Sequence, residues 1–470
     1  MESLWRKQTQ NIKPLKGKEN TLSTDTRWDV IVVGAGLAGI LIAYYLKESG
    51  KKVLVLEADK IASGQTEGTT AKITSQHDIK YTKLIDEMGV ETARLYAQAN
   101  ESAIREYERL IKEKNIRCQF KRCPAYLYTM GDEVTLMEEA MAAASFGIDA
   151  FFTTETELPF PITGAVLFNK QAQFAPLEFV RAIVKELEIW EETPVKAIKK
   201  QGITGERSVV TACGLLTAEY IVIATHFPIK NIPGFYFLRQ HQERSYVLAL
   251  SGYREIEGMY LGVEKDGLSL RQAGEYLLLG GGGRRTGENI CKNGKCCVTE
   301  KEIKNFAGYG FLEEKARQYF PECKIEARWS AQDCMPHDGI PFIGKYSIFT
   351  PHLYVATGFQ KWGMTSSMVA AMIIRDEICK TPNSYARVFS PQRLHLKAGL
   401  KNWFTDAGIS IKGLFNGWIL RRSCRCSHMG CGLEWNPDEK TWECPCHGSR
   451  FDEDGKLLDE PATLPHSFGE

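Results

Sequence analysis

Residues 29 to 57 read DVIVVGAGLAGILIAYYLKESGKKVLVLE, and this stretch decides the fold. Asp29 to Val33 is a short, largely apolar run. Gly34, Gly36 and Gly39 follow as G-x-G-x-x-G, and Ile40 to Leu46 has the apolar density of a buried helix before Gly50 stops it. A second apolar run, Val53 to Leu56, ends on Glu57, eighteen residues past the third glycine. Strand, tight turn, helix, strand and terminal acid in this register predict a dinucleotide site. The first glycine permits the turn, the second lets backbone approach a pyrophosphate, and the third lets helix and strand pack closely. Phosphates rest on free N–H groups at the helix start, and Glu57 accepts from a ribose hydroxyl. The uncharged run from Val30 to Leu46 is slightly short for a membrane span, and its glycines and flanks fit the turn better.

Around this core, 470 residues allow two or three domains. A net charge of +1 and a pI near 7.5 give no reason to expect nucleic acid or an anionic membrane as partner. The opening MESLWRKQTQNIKPLKGKEN is polar and basic with no apolar core of the kind a secretion signal needs, so residues 1–25 read as an exposed lead-in on a cytoplasmic protein. Of fourteen cysteines, Cys424, Cys426, Cys431, Cys444 and Cys446 fall within twenty-three residues. Such clustering without an export signal favours metal over a disulfide framework.

Ala62 to Ser75, rich in Gly, Thr and Ser, reads as a loop that contacts the cofactor. Leu84 to Met88 and Glu91 to Lys114 carry a helical apolar face and read as scaffold, and Asp132 to Phe146 and Pro176 to Leu187 are further helices. Tyr220 to Thr225, YIVIAT, returns the chain to the nucleotide sheet through Ala224 and Thr225. Tyr246–Leu250, Met259–Val263 and Tyr276–Leu279 read as an inserted antiparallel sheet that walls a substrate pocket. Gly280 to Gly283 lacks the spacing and the apolar helix of a second dinucleotide loop, so no separate nicotinamide site is expected. Thr299 and Glu302 form a capping-box pattern. Leu353 to Cys379 gives a second strand, Gly-rich turn and helix, whose start places partial positive charge against a ring carbonyl that gains negative charge on reduction.

DVIVVGAGLAG with Glu57, SGQTEGTTAK, IVIAT, DGIPFIG and LYVATGFQKWGMT lie in order over residues 26–380. Together they resemble the D-amino acid oxidase-like family of FAD-dependent oxidoreductases. The resemblance implies FAD in an extended pose, with Gly34, Gly36, Gly39 and Glu57 at the ADP half. It places Thr69, Thr70, Ala71 and Lys72 on one side of the flavin and Gly358, Gln360, Lys361, Gly363 and Thr365 on the other. It also implies oxidation of amines, amino acids or related compounds. No residue matches a family catalytic base; Lys72, Lys361 and the region of Asp338 are polar groups near the expected flavin face, and His337 reads as structural.

Near the carboxyl end, Cys426 and His428 form C-x-H and Cys444 and His447 form C-x-x-H, with fifteen residues between the pairs. Two thiolates and two imidazoles from two loops suit a [2Fe–2S] centre with Cys on one iron and His on the other. A Cys2His2 zinc site is the alternative, although zinc fingers usually place like ligands in each pair. The segment resembles the Rieske family over residues 410–470. That resemblance implies a disulfide between Cys431 and Cys446 and a hydroxyl donor to cluster sulfur at Ser449. Phe451 replaces the usual tyrosine, so the potential is expected below that of the respiratory type, within a range of roughly −150 to +300 mV.

The expected architecture is α/β: a Rossmann-type FAD-binding domain with an inserted antiparallel-sheet substrate domain over 26–380, a linker over 381–415, and a small all-β Rieske domain over 416–470. The expected activity is oxidation of a small organic substrate at FAD, with electrons passing through the Rieske cluster to an external acceptor. An electron carrier or redox sensor without its own substrate is the alternative. A Rieske oxygenase would need a mononuclear iron site of two His and a carboxylate, and the nine histidines show no such local spacing.

Overall fold

The computed structural model describes residues 2–9, 27–200, 206–288, 308–393, 396–418 and 424–466. Most of the basic lead-in and the Thr299–Glu302 capping pattern lie outside them.

The quoted stretch folds as read. Strand Arg27–Val33 pairs in parallel with Val53–Leu56 on one side and Gly214–Ile223 on the other. Val30, Ile31 and Val32 are wholly buried, as expected for a strand covered on both faces. Each such side chain contributes about 1.5 to 3 kcal/mol over its exposed state. The sheet continues in the order Phe342–Lys345, Leu353–Thr357, Gly214–Ile223, Arg27–Val33, Val53–Leu56, Ile189–Trp190. A hairpin of Ala197–Lys200 and Arg207–Thr211 branches from Gly214–Ile223. Helix Leu37–Glu48 is buried from Leu37 through Leu46 because it lies between this sheet and helix Gly363–Ile378. That double cover explains an apolar run with no polar face.

The inserted sheet has nine strands, ordered Lys324–Pro336, Gln240–Ser251, Tyr276–Arg285, Ser269–Ala273, Met259–Gly262, Lys121–Thr129, Gly164–Gln173, Lys72–Ile73, with Ala150–Thr153 on Gly164–Gln173. It is mixed rather than wholly antiparallel, since Met259–Gly262 and Lys121–Thr129 run parallel. Gly280 to Gly283, set aside as a dinucleotide loop, form the second half of strand Tyr276–Arg285.

Two segments depart from the sequence reading. The opening residues are not an exposed lead-in: Leu4–Thr9 is helical, Leu4 and Trp5 are buried, and Trp5 Nε1 donates to Thr69 O at 2.7 Å. A buried indole flanked by charges carries no period in so short a helix, so the sequence gives it no signal. Residues 381–415 contain a short helix, Ala386–Phe389, and most of a long one, Leu396–Trp418, which runs past the expected boundary at 415. The carboxyl-terminal domain has four antiparallel strands, Glu434–Asn436, Thr441–Glu443, Arg450–Phe451 and Leu457–Asp459. No described helix is long and apolar enough to cross a membrane.

Candidate functional site

The nucleotide turn is built on contacts that only glycine permits. A Cβ on Gly34, whose φ is +105°, would meet Ala224 O at 2.6 Å; one on Gly39 would meet Gly34 O at 1.9 Å. Ala224 and Thr225 thus close the turn from the neighbouring strand end. Gly36 meets nothing closer than Thr66 Oγ1 at 3.4 Å, so its backbone stays approachable. The Glu57 carboxylate accepts from Ala35 N at 2.6 Å and Asp59 N at 3.0 Å, which aims it at the turn with acceptor capacity left over. Burial raises its pKa, and those N–H groups oppose the rise.

Thr69, Thr70, Ala71 and Lys72 follow the one-turn helix Gln65–Gly68, and Ala71 takes φ +55° with its N–H on Thr69 Oγ1. Lys72 Nζ donates to Tyr260 O and Ser269 Oγ, both at 2.7 Å. Burial, reinforced by the Arg271 guanidinium, lowers its pKa to about 7. It therefore stitches the loop to the inserted sheet. Across from it, Gly358 has φ +73° and packs where a Cβ would strike Pro336, and the buried Gln360 accepts from Lys80 Nζ at 3.1 Å. Gly363 opens helix Gly363–Ile378 onto free space, with nothing within 4 Å of a built Cβ. Thr365 faces inward and donates to Thr74 O at 3.2 Å.

Lys361 is the charged group of this turn. Its side chain is 42 % exposed and lies 3.3 Å from Glu243 Oε2. Glu243 and Asp333 sit directly opposite each other on strands Gln240–Ser251 and Lys324–Pro336. Burial would raise Glu243, but His241 and Lys361 outweigh it and bring it down to about 2. Burial raises Asp333 to about 7, with the Glu243 charge adding to the rise and Lys361 opposing it. Their environments thus push the two neighbouring carboxyls in opposite directions. Sequence reading missed both, because their pairing depends on strand register. The Asp338 carboxylate is taken by Arg393 through two bonds, at 2.7 and 2.8 Å, and is an anchor of the chain leading to the linker helix.

In the carboxyl-terminal domain, Cys426, His428, Cys444 and His447 converge. The two imidazoles stand with centroids 5.0 Å apart and planes at 86°. Cys426 and Cys444 are buried in hydrogen-bonding contact with each other. The Nδ1 atoms of both His428 and His447 are buried without a hydrogen-bond partner. Burial lowers these histidines to about 4 and about 3, so both are neutral and able to ligate through Nδ1. This donor set fits a Rieske [2Fe–2S] centre. Ser449 sits beside Cys426, its Oγ accepting from Ala462 N at 2.9 Å, while Phe451 is wholly buried. Cys431 and Cys446 are free thiols, and their sulfurs, with that of Cys444, lie within 4.8 Å of one another.

Residues 29–377 match the FAD dependent oxidoreductase family and residues 416–467 match the Rieske [2Fe-2S] domain. The chain belongs to the FAD-dependent oxidoreductase family and carries a Rieske domain. Its cofactors are accordingly FAD and a [2Fe–2S] cluster. A putative Rieske 2Fe-2S iron-sulfur protein of Bacillus subtilis is 34 % identical over 94 % of each chain. Glycine oxidase from Geobacillus kaustophilus superposes with a TM-score of 0.63 at 18 % identity, covering 78 % of this chain and 99 % of that one. L-amino acid deaminase from Proteus vulgaris gives 0.63 at 19 % identity, covering 81 % and 97 %. These two likenesses show the fold of the flavoenzyme part.

The Rieske domain is docked on the inserted sheet of the oxidoreductase domain. Gln242 Nε2 donates to His447 O at 2.9 Å and Glu460 O at 2.7 Å; Gln332 Nε2 donates to Gly448 O at 2.9 Å. Arg285 holds Pro445 O and Cys446 O, both at 3.1 Å. Arg244 pairs with Glu439. Phe237 lies edge-on to both cluster imidazoles, at 5.8 and 5.5 Å, and Asn231 Nδ2 is 3.1 Å from His428 Nε2. The linker helix packs behind the cluster, close enough that a Cβ on Gly413 would strike Cys446 Sγ at 2.4 Å.

Proposed function

We propose that this oxidoreductase oxidises a small amine or amino acid at its flavin side and delivers the electrons singly, through its Rieske side, to an external acceptor. Bound FAD supplies two-electron chemistry, and the [2Fe–2S] centre supplies one-electron chemistry. One observation carries the reading. Side chains alternate between the faces of a strand, and strands Gln240–Ser251 and Lys324–Pro336 use that alternation to serve both domains. Gln242, Arg244, Ser330 and Gln332 hold the Rieske domain. Glu243 and Asp333, one position along, gather around Lys361. Arg285, directly opposite Glu243, extends that second face to the carbonyls of Pro445 and Cys446, so one sheet carries contacts to both sides.

In this reading Gly34, Gly36, Gly39 and Glu57 hold the ADP half of FAD, with Ala224 and Thr225 closing over it. Thr69, Thr70 and Ala71 face the turn of Gly358, Gln360, Lys361 and Gly363. Lys72 and Thr365 brace the two walls. Asp333 takes the proton of a substrate ammonium, leaving a neutral acid beside a neutral amine, while the Lys361–Glu243 ion pair next to it keeps its own charges. Cys426, His428, Cys444 and His447 hold the cluster.

The test is anaerobic mixing of the oxidised protein with a panel of amino acids and secondary amines while absorbance is followed near 450 nm. Bleaching by a panel member, lost in Asp333→Asn with FAD content unchanged, is the expected result. Reduction by a protein donor alone would overturn the reading in favour of a carrier.

A further inference from the structure

A second metal-ligating constellation lies at the junction of the two domains. His241 comes from strand Gln240–Ser251, His337 follows strand Lys324–Pro336, and Asp406 comes from helix Leu396–Trp418. One donor atom of each lies within 4.8 Å of the others. His241 Nδ1 is 2.9 Å and His337 Nδ1 is 3.3 Å from Asp406 Oδ2. Bonds of about 2.0 to 2.2 Å to one ion set neighbouring donors about 2.8 to 3.6 Å apart between octahedral and tetrahedral angles, so both spacings suit a shared ion. All three side chains are largely enclosed, at 18, 8 and 13 % exposure.

The surroundings repeat the outer contacts of built metal sites. A ligating histidine usually gives its second ring nitrogen to a carboxylate or a backbone carbonyl, and a ligating carboxylate is itself hydrogen-bonded. His241 Nε2 faces Glu243 Oε1 at 3.4 Å. His337 hydrogen-bonds the backbone of Leu238. Asp406 gives its other oxygen, Oδ1, to Arg285 and leaves Oδ2 toward the two histidines. The facing charged groups are Glu243 and Lys361 on one side and Arg285 on the other. Without an ion, the same geometry needs a proton on His241 to sit against Asp406. A divalent ion takes that proton's place.

We propose that His241, His337 and Asp406 form a mononuclear site for a divalent first-row transition ion, separate from the four cluster ligands. Two imidazoles and one carboxylate suit Fe2+, Zn2+, Mn2+ or Co2+. The site spans the flavin-side pair and the cluster loop: Glu243 contacts His241 and Lys361, while Arg285 contacts Asp406 and the carbonyls of Pro445 and Cys446. An ion here ties the linker helix to the sheet on which the Rieske domain sits. The proposal does not depend on which substrate is oxidised.

The experiment uses the full chain with its cluster in place. Iron, zinc, manganese, cobalt and acid-labile sulfide are measured on protein as isolated. Chelator-treated protein is then titrated with Co2+ and followed by difference absorption and proton release. One divalent ion beyond the two irons that match two sulfides, or one equivalent of Co2+ binding with release of a proton, is expected. Asp406→Asn and His337→Gln should each weaken Co2+ binding by about 100-fold or more while sulfide content and the cluster spectrum stay at wild-type values. If Asp406→Asn loses the cluster, His337→Gln alone decides. Iron equal to sulfide with no other ion, together with Co2+ titrations unchanged in His337→Gln, overturns the proposal.

Discussion

Replacing Gln242 with leucine tests how the Rieske domain is held. Gln242 is 1 % exposed, and its amide donates to His447 O and Glu460 O while its Oε1 accepts from Gln332 Nε2 at 2.8 Å. Leucine nearly fills the volume and removes all three bonds, leaving the His447 and Glu460 carbonyls and one N–H of the Gln332 amide without their present partner, while the other N–H stays on Gly448 O. At about 1 to 3 kcal/mol for each orphaned group, the docked arrangement loses at least about 3 kcal/mol, or roughly two decades in the docking equilibrium. The cluster ligands are untouched, so iron, sulfide and FAD contents should match wild type. Flash photoreduction of the flavin, followed by electron equilibration with the cluster, reads the effect directly. Equilibration should slow, by at most about 100-fold as the docked fraction falls, and thermal unfolding should split into a Rieske and an oxidoreductase transition. A wild-type equilibration rate with a single unfolding transition would refute the claim that these buried amides fix the distance between the two sides.

Gly39→Ala places a methyl at 1.9 Å from Gly34 O, a backbone contact that cannot yield, so the variant should bind no FAD and be recovered, if at all, as colourless oxidoreductase domain with an intact cluster spectrum. Phe451→Tyr restores a hydroxyl beside the cluster and should raise the reduction potential relative to wild type by square-wave voltammetry; an unchanged or lower value removes the assigned cause. Asp333 titrates near 7, so substrate-dependent flavin reduction should rise with pH through about 7 as the carboxyl loses its proton, and the step should vanish in Asp333→Asn. The same raised value has a consequence for stability. The native state holds this proton longer than the unfolded chain does, so the group costs nothing below the unfolded pKa near 4 and destabilises progressively as pH rises toward about 7. Asp333→Asn should flatten that part of a melting-temperature profile. Cys431 and Cys446 are free thiols here, against the disulfide that the Rieske resemblance implies, so mass spectrometry of alkylated, unreduced protein should label both; an unlabelled pair would restore the bridge.

Much of this molecule is local and therefore legible in the sequence alone. The turn at Gly34, Gly36 and Gly39 is specified by backbone clearances within a few residues, and Glu57 closes the same unit. Cys426, His428, Cys444 and His447, the proposed cluster ligands, sit on two short loops, which is why the spacing around Cys426 and Cys444 points to a Rieske domain without a structure. What only the tertiary structure decided is non-local. Glu243 and Asp333 face each other across paired strands although they are ninety positions apart, and no period or motif records that register. His241, His337 and Asp406 arrive from a strand, a loop and the linker helix, so a search for local histidine spacing passes over them. Trp5 reads as part of a polar lead-in until the nucleotide domain supplies the wall that buries it. Short-range patterns report the conformations a segment prefers. Which segments meet is set by packing the whole core, and the junction of the two redox sides belongs to that second kind of information.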